Sequence, residues 1–390
     1  MNREGTSLRE LALLFLRLGV TAFGGPAAHI AMMRDEVVRR RRWLTEERFL
    51  DLLSAANLIP GPNSTELAIH VGFERRRWAG LVVAGVCFIG PAMLMTGALG
   101  WAYVRYGARP RATWLLWGVK PVILAIVVQA LWKLAPAAGR TWWLRALGVV
   151  AAIASALGGH ELLILLGAGA VATAVQAIGR RGTGGLAQVV PALPAAAAVS
   201  GAVTGVGVAA TTTATASGLF WVFLKIGSVL FGSGYVLLAF LRTNLVERLH
   251  WLSQAQLIDA VAAGQITPGP VFTTATFVGY ILAGPSGALA ATAGIFLPAF
   301  VFVALSGPLV PKLRAWRAAG AFLDGVNVAS LALMAVVTVQ LGRAAVVDAW
   351  TAALALGSAL VLLRFKVSST WLIAVGAAVG LGAHAAGLAP

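Results

Sequence analysis

Phe15-Leu16-Arg17-Leu18-Gly19, Phe23-Gly24-Gly25, Arg40-x-x-Trp43-Leu44, Asp51 and Pro60-Gly61-Pro62 follow one another near the start of the chain. The series returns 208 positions later as Phe223-Leu224-Lys225-Ile226-Gly227, Phe231-Gly232, Arg248-x-x-Trp251-Leu252, Asp259 and Pro268-Gly269-Pro270. The register then slips by one residue, and Val71-Gly72, Gly80, Pro91-Ala92 and Gly118-Val119 are answered by Val278-Gly279, Gly287, Pro298-Ala299 and Gly325-Val326. Chance does not align Gly, Pro and Trp in this way over about a hundred positions, so the chain is read as two copies of one unit. The first copy takes 1–185 and the second 215–390. Between them, 186–214 is a linker whose Ala/Val/Gly-rich stretch at 187–210 has no partner in the repeat and is read as an unpaired crossing.

The solvent of this chain follows from its composition. Of 390 residues, 59% are hydrophobic and 11% charged, with mean hydropathy +0.85. A soluble domain is roughly half apolar and a quarter charged. The apolar runs are about 20 residues long, the length a helix needs to cross the hydrocarbon layer, and none alternates as a barrel strand does. The fold class is therefore an all-α integral membrane protein, two homologous helical halves in an inverted-topology repeat with re-entrant or broken helices. A net charge of +16 raises the question of nucleic acid, but the basic residues sit in short clusters between apolar runs rather than on an aromatic-laced surface, and no nucleic-acid partner is expected. Cys87 is alone, so no intrachain disulfide forms. The apolar stretch from Leu11 to Phe23 has the look of a signal-peptide core, yet it is half of a matched pair and is read as retained structure.

Each copy opens with an apolar segment interrupted at a glycine-rich break, 8–33 with Phe23-Gly24-Gly25-Pro26 and 216–241 with Phe231-Gly232-Ser233-Gly234. An amphipathic helix follows at 45–58 and 253–266, opened by the N-cap types Thr45 and Ser253. It stops at Pro-Gly-Pro, because proline lacks the amide donor and disfavours helical geometry in the residue before it. A short helix resumes at 63–73 and 271–282, and four longer segments complete each copy: 78–104, 112–135, 142–158 and 161–179, then 286–306, 317–341, 344–363 and 369–388.

Matched loops differ in charge. Around Trp43 stand Arg34, Arg39, Arg40, Arg41, Arg42 and Arg48, followed by Arg75-Arg76-Arg77. The equivalent loops of the second copy hold Arg242 and Arg248 beside Glu247, then the uncharged Ile281-Leu282-Ala283-Gly284-Pro285-Ser286. Basic loops face the cytoplasm, so the copies are expected to insert in opposite orientations. With the broken segments re-entrant, each copy crosses four times and the linker once more.

Ionisable residues at membrane depth cost at least about 2.5 kcal/mol and face a cavity or a partner. Arg17 and Lys225 stand at matched positions before the two breaks, and Lys120 precedes Pro121 where the second copy has Asn327. Helix starts offer unpaired amides and about half a positive charge. After Pro60-Gly61-Pro62 come Asn63, Ser64, Thr65 and Glu66, and after Pro268-Gly269-Pro270 come Thr273 and Thr274, a set of donors suited to an anion. Glu66 is the candidate for proton coupling. Asp51, Asp259, His29 and His70 read more simply as structural groups. No Walker loop, metal spacing or nucleophile elbow is present, so the chain is expected to be no enzyme, to need no cofactor or metal, and to draw energy from gradients.

At these residues the chain resembles the chromate ion transporter family in its long, two-domain bacterial form. The resemblance spans nearly the whole chain and is strongest at 15–92 and 223–299. The family motif falls on Gly24, Gly25, Arg39, Trp43, Pro60, Gly61, Pro62, Gly72 and Gly80, and again on Gly232, Trp251, Pro268, Gly269, Pro270, Gly279 and Gly287. Asn57 departs from the glutamine expected there, which the second copy keeps as Gln265, and Ser233-Gly234 replaces Gly25-Pro26. The resemblance implies a multi-pass inner-membrane protein that exports chromate, a tetrahedral dianion similar to sulfate, and so confers chromate resistance. Its partners are then chromate or a sulfate-like oxyanion and the lipid bilayer, with room for a homodimer. A reading of another class, a membrane enzyme or scaffold acting on lipid phosphates, has to rest on Asp35, Glu36, Glu46 and Glu47 near the arginine loop, which look like charge balance on a solvated face.

Overall fold

The structure, a computed structural model, describes residues 6–23, 25–107, 110–178, 213–231, 234, 236–306, 317–365 and 367–386. The proposed crossing at 187–210, Gly24 and Gly232 lie outside the described residues. All regular structure among the described residues is helical. In the first copy α1 spans Leu8–Thr21, α2 Gly25–Arg34 with a π-helical continuation Asp35–Arg40, α3 Glu46–Leu58, α4 Asn63–Tyr106, α5 Pro110–Ala138, α6 Trp142–Ala156 and α7 Glu161–Ile178. The second copy has α8 Ala216–Val229, α9 Leu237–Leu241 with a π-helical continuation Arg242–Arg248, α10 Gln254–Ile266, a 3-10 turn Val271–Thr273, α11 Thr274–Ser306, α12 Arg317–Ala345, α13 Ala349–Arg364 and α14 Ser369–Ala385.

The repeat extends to backbone detail. The Thr45 hydroxyl accepts from the Arg48 amide at the start of α3, and Ser253 with Gln256 forms a full capping box on α10. Arg42 and His250, 208 positions apart, both adopt positive φ, at 53° and 52°. The segments at 63–73 and 78–104, expected as separate helices, are the two limbs of α4, which doubles back at Arg76 (φ −140°, ψ 26°) and Arg77 (φ 50°, ψ −134°). α11 does the same at Ala283 (φ −143°, ψ 27°) and Gly284 (φ 62°, ψ −153°). In an unbroken helix, residues eight apart are separated by about 12 Å along the axis. Gly72 and Gly80 instead lie so close that a β-carbon on either would strike the other's carbonyl, and Gly279 and Gly287 repeat the arrangement. Only glycine permits this approach, which explains its recurrence at all four positions.

The two copies are intertwined rather than stacked. α1 lies along α4 and α8 along α11, and α4 packs against α11 across the middle. The outer helices trade partners: α5 packs on α13 and α14 of the second copy, while α12 packs on α6 and α7 of the first. Gly118 accordingly meets the backbone of Gly376 and Gly380, and its counterpart Gly325 meets Ala168.

Among the described residues, five helices are long and apolar enough to cross a membrane: Asn63–Tyr106, Thr113–Pro136, Glu161–Ile178, Val271–Ser306 and Ala318–Ala345. Their outward faces carry large apolar side chains. Along the long limb of α4, Trp78, Val82, Val86, Leu94 and Trp101 are all exposed at near-helical spacing, and Trp371, Val375 and Val379 repeat the pattern on α14. Patches of this extent are not left in water. The chain is a multi-pass membrane protein.

Candidate functional site

Each Pro-Gly-Pro turn is held by the other copy. The Gly61 amide donates to the Leu230 carbonyl at 2.7 Å, and the Gly269 amide donates to the Ala22 carbonyl at 3.0 Å. Ala22 and Leu230 are themselves a matched pair, each closing the helix that precedes its glycine-rich break. The exchange is reciprocal, and it places the end of α1 beside the start of α11 and the end of α8 beside the start of α4. Positive φ at Gly61 (135°) and Gly269 (87°) requires glycine at both. Close approach requires it again: a β-carbon on Gly61 would collide with the Glu66 carboxyl, and one on Gly269 would stand 2.8 Å from Ala92 Cβ and 3.2 Å from the Gly19 carbonyl.

Helix starts surround these turns. α2 begins at Gly25, which is buried with φ 77°, and Pro62 leads into α4. The two meet through His29, whose Nε2 donates to the Ala22 carbonyl at 3.0 Å and whose Nδ1, in the neutral ring, accepts from the Ser64 hydroxyl at 3.2 Å. Ala22 thus accepts from both copies. Ser64, Thr65 and Glu66 are buried, and neither the Thr65 hydroxyl nor either Glu66 oxygen has a hydrogen-bond partner. Asn63 donates to Asn57 at 2.6 Å on the exposed side of the turn. In the second copy Pro268, Gly269, Pro270, Thr273 and Thr274 are all buried. The Thr273 hydroxyl lies within 3.2 Å of Thr96, which reaches across from the first copy and also meets Thr267 at 3.3 Å. The Thr274 hydroxyl donates to the Val271 carbonyl at 2.8 Å. Gln265 is buried with its Nε2 unpaired.

The cations stand apart from this centre. Arg17 is hydrogen-bonded to neither turn; it pairs with Glu36 at 3.6 Å and lines an open pocket of about 330 Å³ with Thr21, Asp35 and Arg40. From Arg17 to Ala22 is about 7–8 Å along the helix axis. Glu36 also takes Arg40 at 3.1 Å and Arg41 at 3.3 Å. Lys225 occupies the equivalent cluster, but there Asn244 replaces Glu36. Asn244 bonds across to Glu161 of α7 at 3.2 Å, and Glu161 pairs with Arg248 at 3.3 Å. The acid is therefore supplied by a different helix, and the cluster survives.

Lys120 is hydrogen-bonded to neither turn; it pairs at 3.4 Å with Asp259 of α10, whose other oxygen accepts from the Tyr103 hydroxyl at 2.9 Å. Removing one partner of so buried a pair leaves an uncompensated charge, which costs about 3–5 kcal/mol. Lys120→Met is therefore expected to lower the melting temperature of the purified protein markedly, and adding Asp259→Asn to recover most of the loss.

Three of the four acids of the arginine loop stand in ion pairs: Asp35 with Arg40 at 2.9 Å and Glu46 with Arg34 at 2.6 Å, beside the Glu36 contacts above. A second pocket of about 330 Å³ lies there, lined by Trp43, Glu47, Arg48, Asp51, Glu74 and Arg75. Among the described residues no cluster of three metal-ligating side chains occurs.

The model of the chromate transporter family matches the chain over residues 9–174 and again over 217–381. The chain belongs to the chromate transporter family. The glycines and prolines of the first turn fall inside the first matched stretch and those of the second turn inside the second. A chromate transport protein of Cupriavidus metallidurans is 35% identical over 385 residues, covering 97% of this chain and 94% of that protein. One of Pseudomonas aeruginosa is 34% identical over 343 residues, covering 86% and 82%. The uncharacterized transporter YwrA of Bacillus subtilis is 30% identical over 124 residues, which is 70% of that protein but 32% of this chain. No solved structure matches this member of the chromate transporter family significantly.

Proposed function

We propose that the chain exports chromate across a bacterial inner membrane and thereby confers chromate resistance. The observation that supports this reading is the reciprocal hold of the two Pro-Gly-Pro turns, each of which leads into a helix start whose buried hydroxyls, Ser64 and Thr65 in one copy and Thr273 and Thr274 in the other, are of the type that binds an oxyanion. Amides and hydroxyls at helix starts bind a tetrahedral oxyanion without burying a fixed charge beside it. Relatives that bear the name of chromate transport proteins supply the substrate. Gly25 opens α2 at the first break, Asn57 and Gln265 flank the turns, and Arg17 and Lys225 attract the anion toward its binding place.

The copies are read as inserted in opposite orientations, with the axis of the exchange in the membrane plane. Support comes from the arginine excess around Trp43 against its near absence around Trp251. Rocking of one intertwined half against the other then exposes the turns alternately. A dianion leaving an inside-negative compartment gains roughly 4–5 kcal/mol per 100 mV, enough for about a thousand-fold gradient. Glu66 is the group through which protons enter the scheme.

Chromate accumulation in sensitive cells tests the reading. Cells producing the chain are expected to hold less chromate than cells without it, and inverted vesicles to take chromate up. Equal accumulation in both strains refutes export. Sulfate has the same charge and shape, and competition by sulfate in the vesicles measures how far the turns tell the two apart.

A further inference from the structure

The short limb of α4 carries a column of titratable groups that the second copy lacks. Glu66, His70 and Glu74 recur every four residues and so share one face of the limb. In the second copy the threonines Thr273 and Thr274 stand where the one-residue slip brings Glu66, and no acid or histidine follows before the bend at Gly284. Glu66 is wholly buried, its carboxyl lies against Gly61 at the turn, and neither oxygen is hydrogen-bonded. His70 is buried one helical turn further on, and its Nε2 has no partner. Glu74 ends the column on the wall of the pocket beside Trp43, where Arg48 holds it at 2.8 Å. The column therefore runs from the turn to solvent.

We propose that Glu66 holds a proton whenever an oxyanion occupies the turns, donating its O–H to the anion, and that this proton reaches Glu66 through His70 from the Glu74 pocket. Proton and oxyanion then cross in the same direction. This rests on the reading of the turns as an oxyanion site. The charge geometry gives the sign. No described cation pairs with Glu66, and the groups around it supply none: His29 of α2 is already bound between Ala22 and Ser64, Arg48 of α3 is taken by Glu74, and Asp51 lies at the pocket end. The second copy meets the turn through the Leu230 carbonyl and Ala299, which do not titrate. An ionised Glu66 would thus set a third negative charge beside a dianion with no counter-ion, in surroundings that screen little. A neutral carboxyl offers a donor instead. By reciprocity, whatever the proton does for anion binding the anion does for proton binding. The complex that crosses carries one net negative charge, so the membrane potential still drives it outward, at about 2.3 kcal/mol per 100 mV, half of what the bare dianion would gain.

The test uses the full chain in proton-tight liposomes loaded with chromate and a pH-sensitive dye, at about pH 8, where chromate is a dianion. An imposed inside-negative potential is expected to move chromate out and to turn the lumen alkaline by one proton per chromate. In Glu66→Gln chromate movement is expected to be slower, because a donor to the anion is altered, and whatever movement remains is expected to leave the lumen pH constant and to have lost its dependence on pH. Lumen acidification, or chromate movement from the wild-type protein with no pH change, overturns the inference and leaves the transport reading standing. Persistent proton movement in Glu66→Gln overturns it as well. No chromate movement from the wild-type protein overturns the transport reading, and this one with it. The wild-type stoichiometry decides the matter even where the variant does not fold.

Discussion

Gly61→Ala is expected to reduce chromate uptake by inverted vesicles to background. Three demands meet at this position. Its φ of 135° lies where residues with a β-carbon are strained, at about 1–3 kcal/mol. The β-carbon would also collide with the Glu66 carboxyl, which would have to turn aside within buried surroundings. Finally, the Gly61 amide is the donor that ties the turn to Leu230 of the other copy, so a shifted turn loses its anchor. Gly269→Ala is expected to behave alike, because its β-carbon would press on Ala92 and the Gly19 carbonyl. Vesicles containing either variant at wild-type abundance but with wild-type uptake would show that the turns do not form the transport site.

Gly72→Val is expected to prevent folding altogether. The β-carbon would be driven into the Gly80 carbonyl; its position is set by the backbone and the carbonyl is itself main chain, so no rotamer relieves the contact. The limbs of α4 would have to part, exposing buried side chains on both sides of the short limb, Leu67 and Val71 on one and Ile69 on another. Deleting or displacing core contacts on that scale costs several kcal/mol, comparable with the whole stability of a typical domain. Gly279→Val makes the same collision with Gly287 in α11. Gly90→Ala is the control, since nothing lies within 4 Å of its would-be β-carbon. Size-exclusion profiles of the detergent-extracted protein report the outcome: a monodisperse peak for Gly90→Ala, aggregate or no protein for Gly72→Val. A monodisperse Gly72→Val would contradict the hairpin.

What the sequence discloses here is governed by range. Proline and glycine act on their own backbone, so the breaks at Pro60-Gly61-Pro62 and Pro268-Gly269-Pro270, the caps at Thr45 and Ser253, and the matched order of elements are all readable from the residues alone. The pairing of Gly72 with Gly80 was present as a repeated spacing, but its meaning, a chain folded back on itself, needs the bend at Arg77, a residue with no ordinary preference for positive φ. Contacts between copies leave no local trace. Nothing near Asn244 announces that its carboxylate partner is Glu161, and nothing near Lys120 points to Asp259, because the exchange of α5 and α12 between the halves decides both. Arg17 shows the same limit from the other side. An arginine in an apolar run suggested a ligand for the anion, while the acid that holds it, Glu36, lies 19 residues on and beyond a break. His29 was legible only as a buried polar residue, and its bridge between Ala22 and Ser64 appears once α2 is folded against α4.

The account depends on the two halves entering the membrane upside down relative to each other, so that turns of opposite copies meet. Glu47 and Ala255 are matched across the repeat and both exposed, and Cys87 is the single native thiol. In a Cys87→Ala background, Glu47→Cys and Ala255→Cys are to be labelled in intact cells with a membrane-impermeant maleimide. The prediction is that Ala255→Cys reacts from outside and that Glu47→Cys reacts only after the cells are opened. Labelling of both from the same side would contradict it.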